Sequence, residues 1–171
     1  KLSAEQAVLQ ANPAALVARV NLFGWSPSGK RSLAEFFFHR LSLGQTCMGF
    51  TDVFFCPMLA TDLGQLFLKI LDHDLTGLYH AVGSQCLSKY EFGRKIAVRF
   101  GADESLVIPT SVNQSGLAAA RSPNLTLSSA RLSSALGIQL PGVTEGVDRL
   151  YDQFLQGYPT KIQSIYHSAG A

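Results

Sequence analysis

The chain has no long apolar run. No stretch approaches the roughly 18 consecutive apolar residues that a membrane-spanning helix needs, and nothing resembles a secretory signal. No contact with a membrane is therefore expected. Charge of one sign is also missing: 14 Lys and Arg against 12 Asp and Glu leave a net +2. The basic residues are scattered singly, apart from Lys30-Arg31. Binding to a polyanion scales with the number of phosphates neutralised, so nucleic acid is excluded as the main partner. Cysteine is scarce. Cys47, Cys56 and Cys86 are odd in number and widely spaced. They fit neither a CxxC site nor a disulfide framework, and the expectation is reduced thiols in a cytoplasmic protein. His39, His73 and His80 show no metal-ligand spacing, so no metal site is expected. Repeats, heptads and low-complexity tracts are absent as well. Two sequons, at Asn113 and Asn124, stand without a secretory leader and carry no weight.

What is present is 171 residues, 47% of them apolar, enough for one sizeable core with a small lobe beside it. The chain opens inside a helical pattern without an initiator Met. Lys1 to Leu9 runs at helical spacing until Asn12-Pro13 stops it. An apolar strand follows, Ala15 to Val20, ending in Asn21-Leu22-Phe23-Gly24. A helix feeding a buried strand belongs to the interior of an α/β domain, and the expectation is that the chain is the second part of something larger. The pattern predicts further helices over Ser32 to Leu43, with Leu33, Phe36, Phe37 and Leu41 inward, and from Leu59 through Leu71. A brief extended piece covers Thr51 to Cys56, and a second strand covers Leu78 to Val82. Strand, helix and strand in this order imply a parallel crossover. Ser88-Lys89-Tyr90-Glu91 has the form of a capping box opening a helix with Phe92, Ile96 and Phe100 on one side. An apolar piece at Leu106 to Pro109, a short helix with Leu132 and Leu136, and a helix carrying Val147, Leu150, Tyr151, Phe154 and Leu155 complete the order. The tail after Tyr158 is expected to be loosely held.

Gly24 to Ser32 reads GxxxxGK between a strand and a helix, the setting of a phosphate-cradling loop. Arg31 stands where the magnesium-holding hydroxyl belongs, and Trp25 and Pro27 suit such a loop poorly. The reading is a surface turn with two basic residues at a helix start. Asp62, Asp72 and Asp74 follow a helix's polar face and end, and solvation explains them. Phe36-Phe37-Phe38 and Phe54-Phe55 read as core. No Ser-His-Asp or Cys-His constellation follows from spacing.

Lys-Leu-x-Ala-Glu at Lys1 to Glu5 resembles the end of the Tyr-x-x-x-Lys active-site helix of the extended short-chain dehydrogenase/reductases, and Arg19 to Gly24 resembles their next strand and substrate loop. Thr51-Asp52 through Asp62-Leu63, Gly77 to His80, Leu87 to Gly93, and Arg121-Ser122-Pro123-Asn124-Leu125-Thr126-Leu127 are similar in order to the dTDP-4-dehydrorhamnose reductase branch. The similarity covers about residues 1–156. It implies an α/β fold: the C-terminal part of a Rossmann-type parallel sheet (1–30 and 57–84), a small, mostly helical substrate-binding lobe (31–56 and 85–158), and a flexible tail (159–171).

The chemistry implied is reduction of the 4-keto group of a nucleotide-linked deoxysugar by NADP or NAD. A Tyr gives the proton, and a Lys one turn later holds the nicotinamide ribose and lowers the Tyr pKa. The resemblance places that Lys at Lys1 and the Tyr upstream of it. GxxGxxG, the dinucleotide turn, does not occur in the sequence. The chain is expected not to turn over unaided. For the nucleotide-diphosphate sugar the expected contacts are Asn21 at a strand end and Asn124 within the Arg121 to Leu127 motif. Lys30, Arg31 and Arg121 are expected on the diphosphate, and Trp25 on the base or sugar. Partners implied are a homodimer or an N-terminal half, since residues 1 to 20 carry apolar surface. The alternative is a non-catalytic regulatory or binding module with the same fold.

Overall fold

The computed structural model describes residues 1–28, 32–114 and 122–168. The first half runs α1 (Leu2–Ala11), β1 (Leu16–Val20), β2 (Leu22–Phe23), α2 (Leu33–Ser42), β3 (Cys47–Phe50), β4 (Phe54–Phe55), β5 (Met58–Leu59) and α3 (Ala60–Asp72). The second runs β6 (Gly77–Ala81), β7 (Leu87–Ser88), α4 (Lys89–Arg99), β8 (Val107–Thr110), β9 (Asn124–Leu125), α5 (Ala130–Leu136), α6 (Val143–Leu155) and α7 (Tyr158–Ser168).

β1 and β6 are parallel neighbours, Leu16 opposite Gly77 and Val20 opposite Ala81. Parallel neighbours require a crossover, and α3 lies within it, as the apolar spacing predicts. Beyond Asn21, β2 pairs in parallel with β5. β3 pairs in parallel with β8. β4 is the middle of a small sheet, antiparallel to β7 and parallel to β9. The periodicity does not reveal β3: Cys47-Met48-Gly49-Phe50 is short and lacks β-branched residues, and its pairing with β8 is long-range.

Two helices open on reciprocal caps. Ser88 and Glu91 form the box that the sequence pattern predicts at the start of α4. At α2, Ser32 Oγ accepts from the N–H groups of Ala34 and Glu35, and the Glu35 carboxylate accepts from Ser32 N–H at 3.0 Å. This second box changes the helix's inward face. Ala34, Glu35, Phe37 and Leu41 are buried, whereas Phe36, expected inside, is 44% exposed.

The apolar side chains gather into two cores. One holds Phe37 and Leu41 of α2, Phe92 and Ile96 of α4, and Val147 and Leu150 of α6. The other holds Leu63, Leu66 and Ile70 of α3, Tyr79 of β6, and Leu132 and Leu136 of α5. β5 joins them: Leu59 belongs to the first and Met58 to the second, because neighbouring strand residues point to opposite sides. On α3 the predicted face is too wide, since Leu71 is exposed. Residues after Tyr158, read from sequence as a loose tail, are helical to Ser168. Gly157 takes φ +70°, which lets the chain turn out of α6, and α7 contacts α6.

The cysteine expectation is overturned. Cys56 and Cys86 form a disulfide across 30 residues of sequence, and among the described residues only Cys47 is a free thiol, buried in the first core. Cys56 follows β4 and Cys86 precedes β7, so the Phe55–Leu87 strand pair sets the two thiols opposite each other. Spacing in the sequence cannot show this. Cys47 behaves as a small apolar residue, and burial pushes its thiol pKa up.

Candidate functional site

The site grows from the carboxyl end of β1. Asn21 links β1 to β2, and its carbonyl accepts Met58 N–H at 2.8 Å, which joins the sheet to β5. Its side-chain Nδ2 donates to the Leu125 carbonyl at 2.9 Å, across 104 residues of sequence. Leu125 and Asn124 form β9, which lies beside β4 and is held further by Phe54 N–H on the Pro123 carbonyl. Asn124 Oδ1 accepts from Thr126 N–H at 3.0 Å and Thr126 Oγ1 at 2.6 Å, a local turn that ends β9.

The segment from Asn124 to Ser128 is a strap. Asn21 holds Leu125, and Leu127 N–H donates to Cys56 Sγ at 3.3 Å. His80 Nδ1 lies 3.2 Å from the Ser128 carbonyl. A carbonyl only accepts, so Nδ1 carries the proton. All three anchors sit at strand ends, and all three grip backbone atoms of the strap. A cleft of about 490 Å³, lined by Gly83, Ser84, Cys86, Thr126, Leu127 and Ser128 among others, opens beside it.

The remaining candidates lie elsewhere or out of view. Lys1 is exposed at the start of α1, and no side-chain cap bond is formed there. One turn on, Glu5 takes Arg19 through three nitrogen–oxygen contacts of 2.7–3.2 Å, which tie α1 to β1. The Arg19 hydrogen bond holds the Glu5 carboxyl below its usual range. Trp25 is partly exposed. Its indole N–H donates to the Leu150 carbonyl at 3.1 Å, and its ring packs against Phe38, Phe100 and Phe154. Lys30, Arg31 and Arg121 lie outside the described residues.

Sequence reasoning does not single out Glu35, although Ser32-Leu33-Ala34-Glu35 has the spacing of a capping box. Its buried carboxylate accepts from Ser26 N–H at 2.7 Å, Ser26 O–H at 2.8 Å and Ser32 N–H. It therefore holds the turn that the GxxxxGK pattern likens to a phosphate loop. Among the described residues no group of His, Cys, Asp or Glu gathers in a way that could hold a metal, and no helix is long and apolar enough to cross a membrane.

Solved structures share this architecture. A dTDP-4-dehydrorhamnose reductase from Clostridium acetobutylicum superposes with a TM-score of 0.81 at 21% identity, over 91% of this chain and 54% of that one. A dTDP-4-dehydrorhamnose reductase from Bacillus anthracis, solved in complex with NADP, gives 0.72 at 22% identity, over 81% and 48%. The class is thus an α/β unit with the fold of these reductases. The sequence goes further: residues 1–156 match the profile of the family described as RmlD substrate binding domain, and the chain belongs to that family. A probable low-salt glycan biosynthesis reductase, Agl14 of Haloferax volcanii, is 27% identical over 158 residues, covering 90% of this chain and 52% of the relative. The chain therefore spans about half the length of the relatives it matches.

Proposed function

We propose that the chain is the substrate-binding half of an NAD(P)H-dependent sugar-nucleotide reductase acting on the 4-keto group of a dTDP-4-dehydro-6-deoxy sugar. The observation that carries this reading is the meeting of Asn21 with the Asn124–Leu125 strand at the carboxyl end of β1, within the segment the family profile matches. Open α/β sheets bind ligands at that end. Asn21 spends one N–H on Leu125, and Asn124 spends its oxygen on Thr126. The other amide atoms of the pair take no partner among the described residues, and amides both give and accept, as sugar hydroxyls do. Lys30, Arg31 and Arg121 are assigned to the diphosphate, and Trp25 to the base or sugar.

A nicotinamide dinucleotide needs a glycine turn that presents backbone N–H groups at a helix start. Three described strand-to-helix junctions do not fit it: β5 runs into α3 at Leu59–Ala60, β7 into α4 at Ser88–Lys89, and β9 into α5 through Thr126 to Ser129, none with a glycine, while the β2-to-α2 link, which holds Gly24, runs through residues 29–31 outside the described residues. Lys1 is assigned to the nicotinamide ribose of a dinucleotide held by another segment.

Calorimetry with a dTDP-sugar tests the reading. Asn21→Ala and Asn124→Ala are each expected to weaken binding about tenfold or more with far-UV circular dichroism unchanged. No saturable heat, or unchanged affinity in both variants, overturns it. The chain incubated with NADPH and the 4-keto sugar nucleotide is expected to leave the nicotinamide absorbance steady, and a fall refutes the half-enzyme assignment. One observation favours the binding-module alternative as well. α1 has no buried residue, and Leu2 and Val8 lie exposed on it. That surface is assigned to an N-terminal half or a second copy. Sedimentation should show association that Leu2→Lys with Val8→Lys reduces, whereas a clean monomer at high concentration excludes self-association there.

A further inference from the structure

We propose that the Cys56–Cys86 disulfide is a thiol–disulfide exchange site, attacked at Cys86 by a dithiol, and that its opening loosens the 83–88 segment beside the strap that carries Asn124. The two sulfurs differ in a way that fixes the direction of attack. Cys86 is exposed and lines the cleft beside the strap, whereas Cys56 is fully buried. An incoming thiolate therefore reaches Cys86. The charge that departs then falls on Cys56, where Leu127 N–H stands 3.3 Å from Sγ and stabilises a thiolate. A better leaving thiolate speeds exchange.

The step balances with a dithiol. Its first thiolate bonds to Cys86 Sγ, the Sγ–Sγ bond breaks, and Cys56 leaves and takes a proton. The second thiol, as its thiolate, attacks the mixed disulfide, and Cys86 leaves and takes a proton. The dithiol is oxidised to its disulfide, and the protein disulfide is reduced to two thiols.

The consequence follows from which ties at this corner are covalent and which are single hydrogen bonds. β4 pairs with β7 on one side and β9 on the other through two residues each. Strand pairs of that length do not sustain themselves in water. Two further bonds end on Cys56: Gly83 N–H on its carbonyl at 3.1 Å, and Leu127 N–H on its sulfur. Parting Cys86 from Cys56 removes the covalent tie between the 83–88 segment and β4, which then rests on the short β4–β7 pair, Gly83 N–H on the Cys56 carbonyl, Ser84 N–H on the Pro141 carbonyl at 3.1 Å and Lys89 N–H on the Val53 carbonyl at 3.0 Å. The effect on ligand affinity rests on the proposed sugar-nucleotide reading. The exchange site and the loosening do not.

The experiment uses the full chain in two arms. In the first, the oxidised chain is treated with 2-mercaptoethanol as a monothiol, quenched with acid, and mapped by peptide mass spectrometry. The expected mixed disulfide is on Cys86 with Cys56 as the free thiol, and an adduct on Cys56 overturns the proposal. In the second, amide hydrogen exchange is compared before and after dithiothreitol. The amides of Gly83 and Ser84 are expected to exchange about tenfold faster in the reduced chain while those of Leu127 and α4 hold. Unchanged exchange, or resistance to reduction short of unfolding, overturns it. Cys86→Ser should reproduce the fast exchange without reductant. A dTDP-sugar titration of both redox states separates the readings: no binding in either state defeats the substrate reading and leaves the exchange site standing.

Discussion

Replacing Glu35 with alanine is expected to cost the fold about 3 kcal/mol, which comes from the donors it abandons. The carboxylate accepts Ser26 N–H, Ser26 O–H and Ser32 N–H at 2.7–3.0 Å. The Ser26 hydroxyl can turn elsewhere, for Ser28 Oγ is 3.4 Å away. The two backbone N–H groups cannot. A buried donor left unpaired costs about 1–3 kcal/mol. These two are partly buried, and neighbouring Pro27 is exposed, so water entering there offsets part of the loss. Domain stability is about 5–15 kcal/mol, so the remaining loss is a large share. Glu35→Gln keeps the shape but turns one acceptor into a donor facing a donor, and about half the loss is expected. Urea unfolding read by circular dichroism and by fluorescence measures both. Trp25 is the single tryptophan and adjoins Ser26, so its emission reports this turn. A loss under about 1 kcal/mol in Glu35→Ala, with Trp25 emission unaltered, would refute the reasoning.

Three other outcomes follow from the same contacts. Reducing the disulfide removes a cross-link spanning 30 residues, and the chain-entropy relation puts the loss at about 3–4 kcal/mol; an unchanged urea midpoint in reductant would contradict it. Gly93→Ala would set a Cβ 2.5–2.9 Å from the Phe37 ring inside the first core, an overpacking expected to cost about 1–3 kcal/mol, and a variant as stable as the parent would show that the ring can retreat. The Glu91 carboxyl is held below its usual range by the Ser88 N–H and then the Ser88 hydroxyl, and Asp52 by the Ser111 hydroxyl and then Val112 N–H. A lowered folded pKa gives stability that is complete above the ordinary carboxylate range and fades as pH falls through the folded values, so Glu91→Gln should flatten the acid limb of a stability–pH curve below about pH 4.5, and a parallel curve would count against the box.

Much of the fold is legible because it is written locally. Asn12-Pro13 ends α1, the spacing of Leu63, Leu66 and Ile70 forms α3, and Ser88 with Glu91 opens α4. Each depends on residues within about one or two helical turns. β1 and β6 stand out as apolar runs, and their parallel pairing follows from the helix between them. The place of Asn21 is legible for the same reason, as the residue that ends β1. Phe36 departs from the pattern because apolar spacing ignores hydrogen bonds, and Ser26 and Ser32 hold the Glu35 carboxylate inside.

Tertiary structure alone decided what surrounds Asn21. The strap is held by Asn21, Cys56 and His80 across separations of 104, 71 and 48 residues, and each grips a backbone N–H or carbonyl, groups that any chain carries whatever its side chains. Such contacts leave no side-chain pattern to find. The disulfide is of the same kind: its cysteines lie in different segments and meet because Phe55 pairs with Leu87. Patterns repeated within a helix or strand can be seen in one dimension, whereas which distant backbone atoms meet is settled when the two cores close around β5.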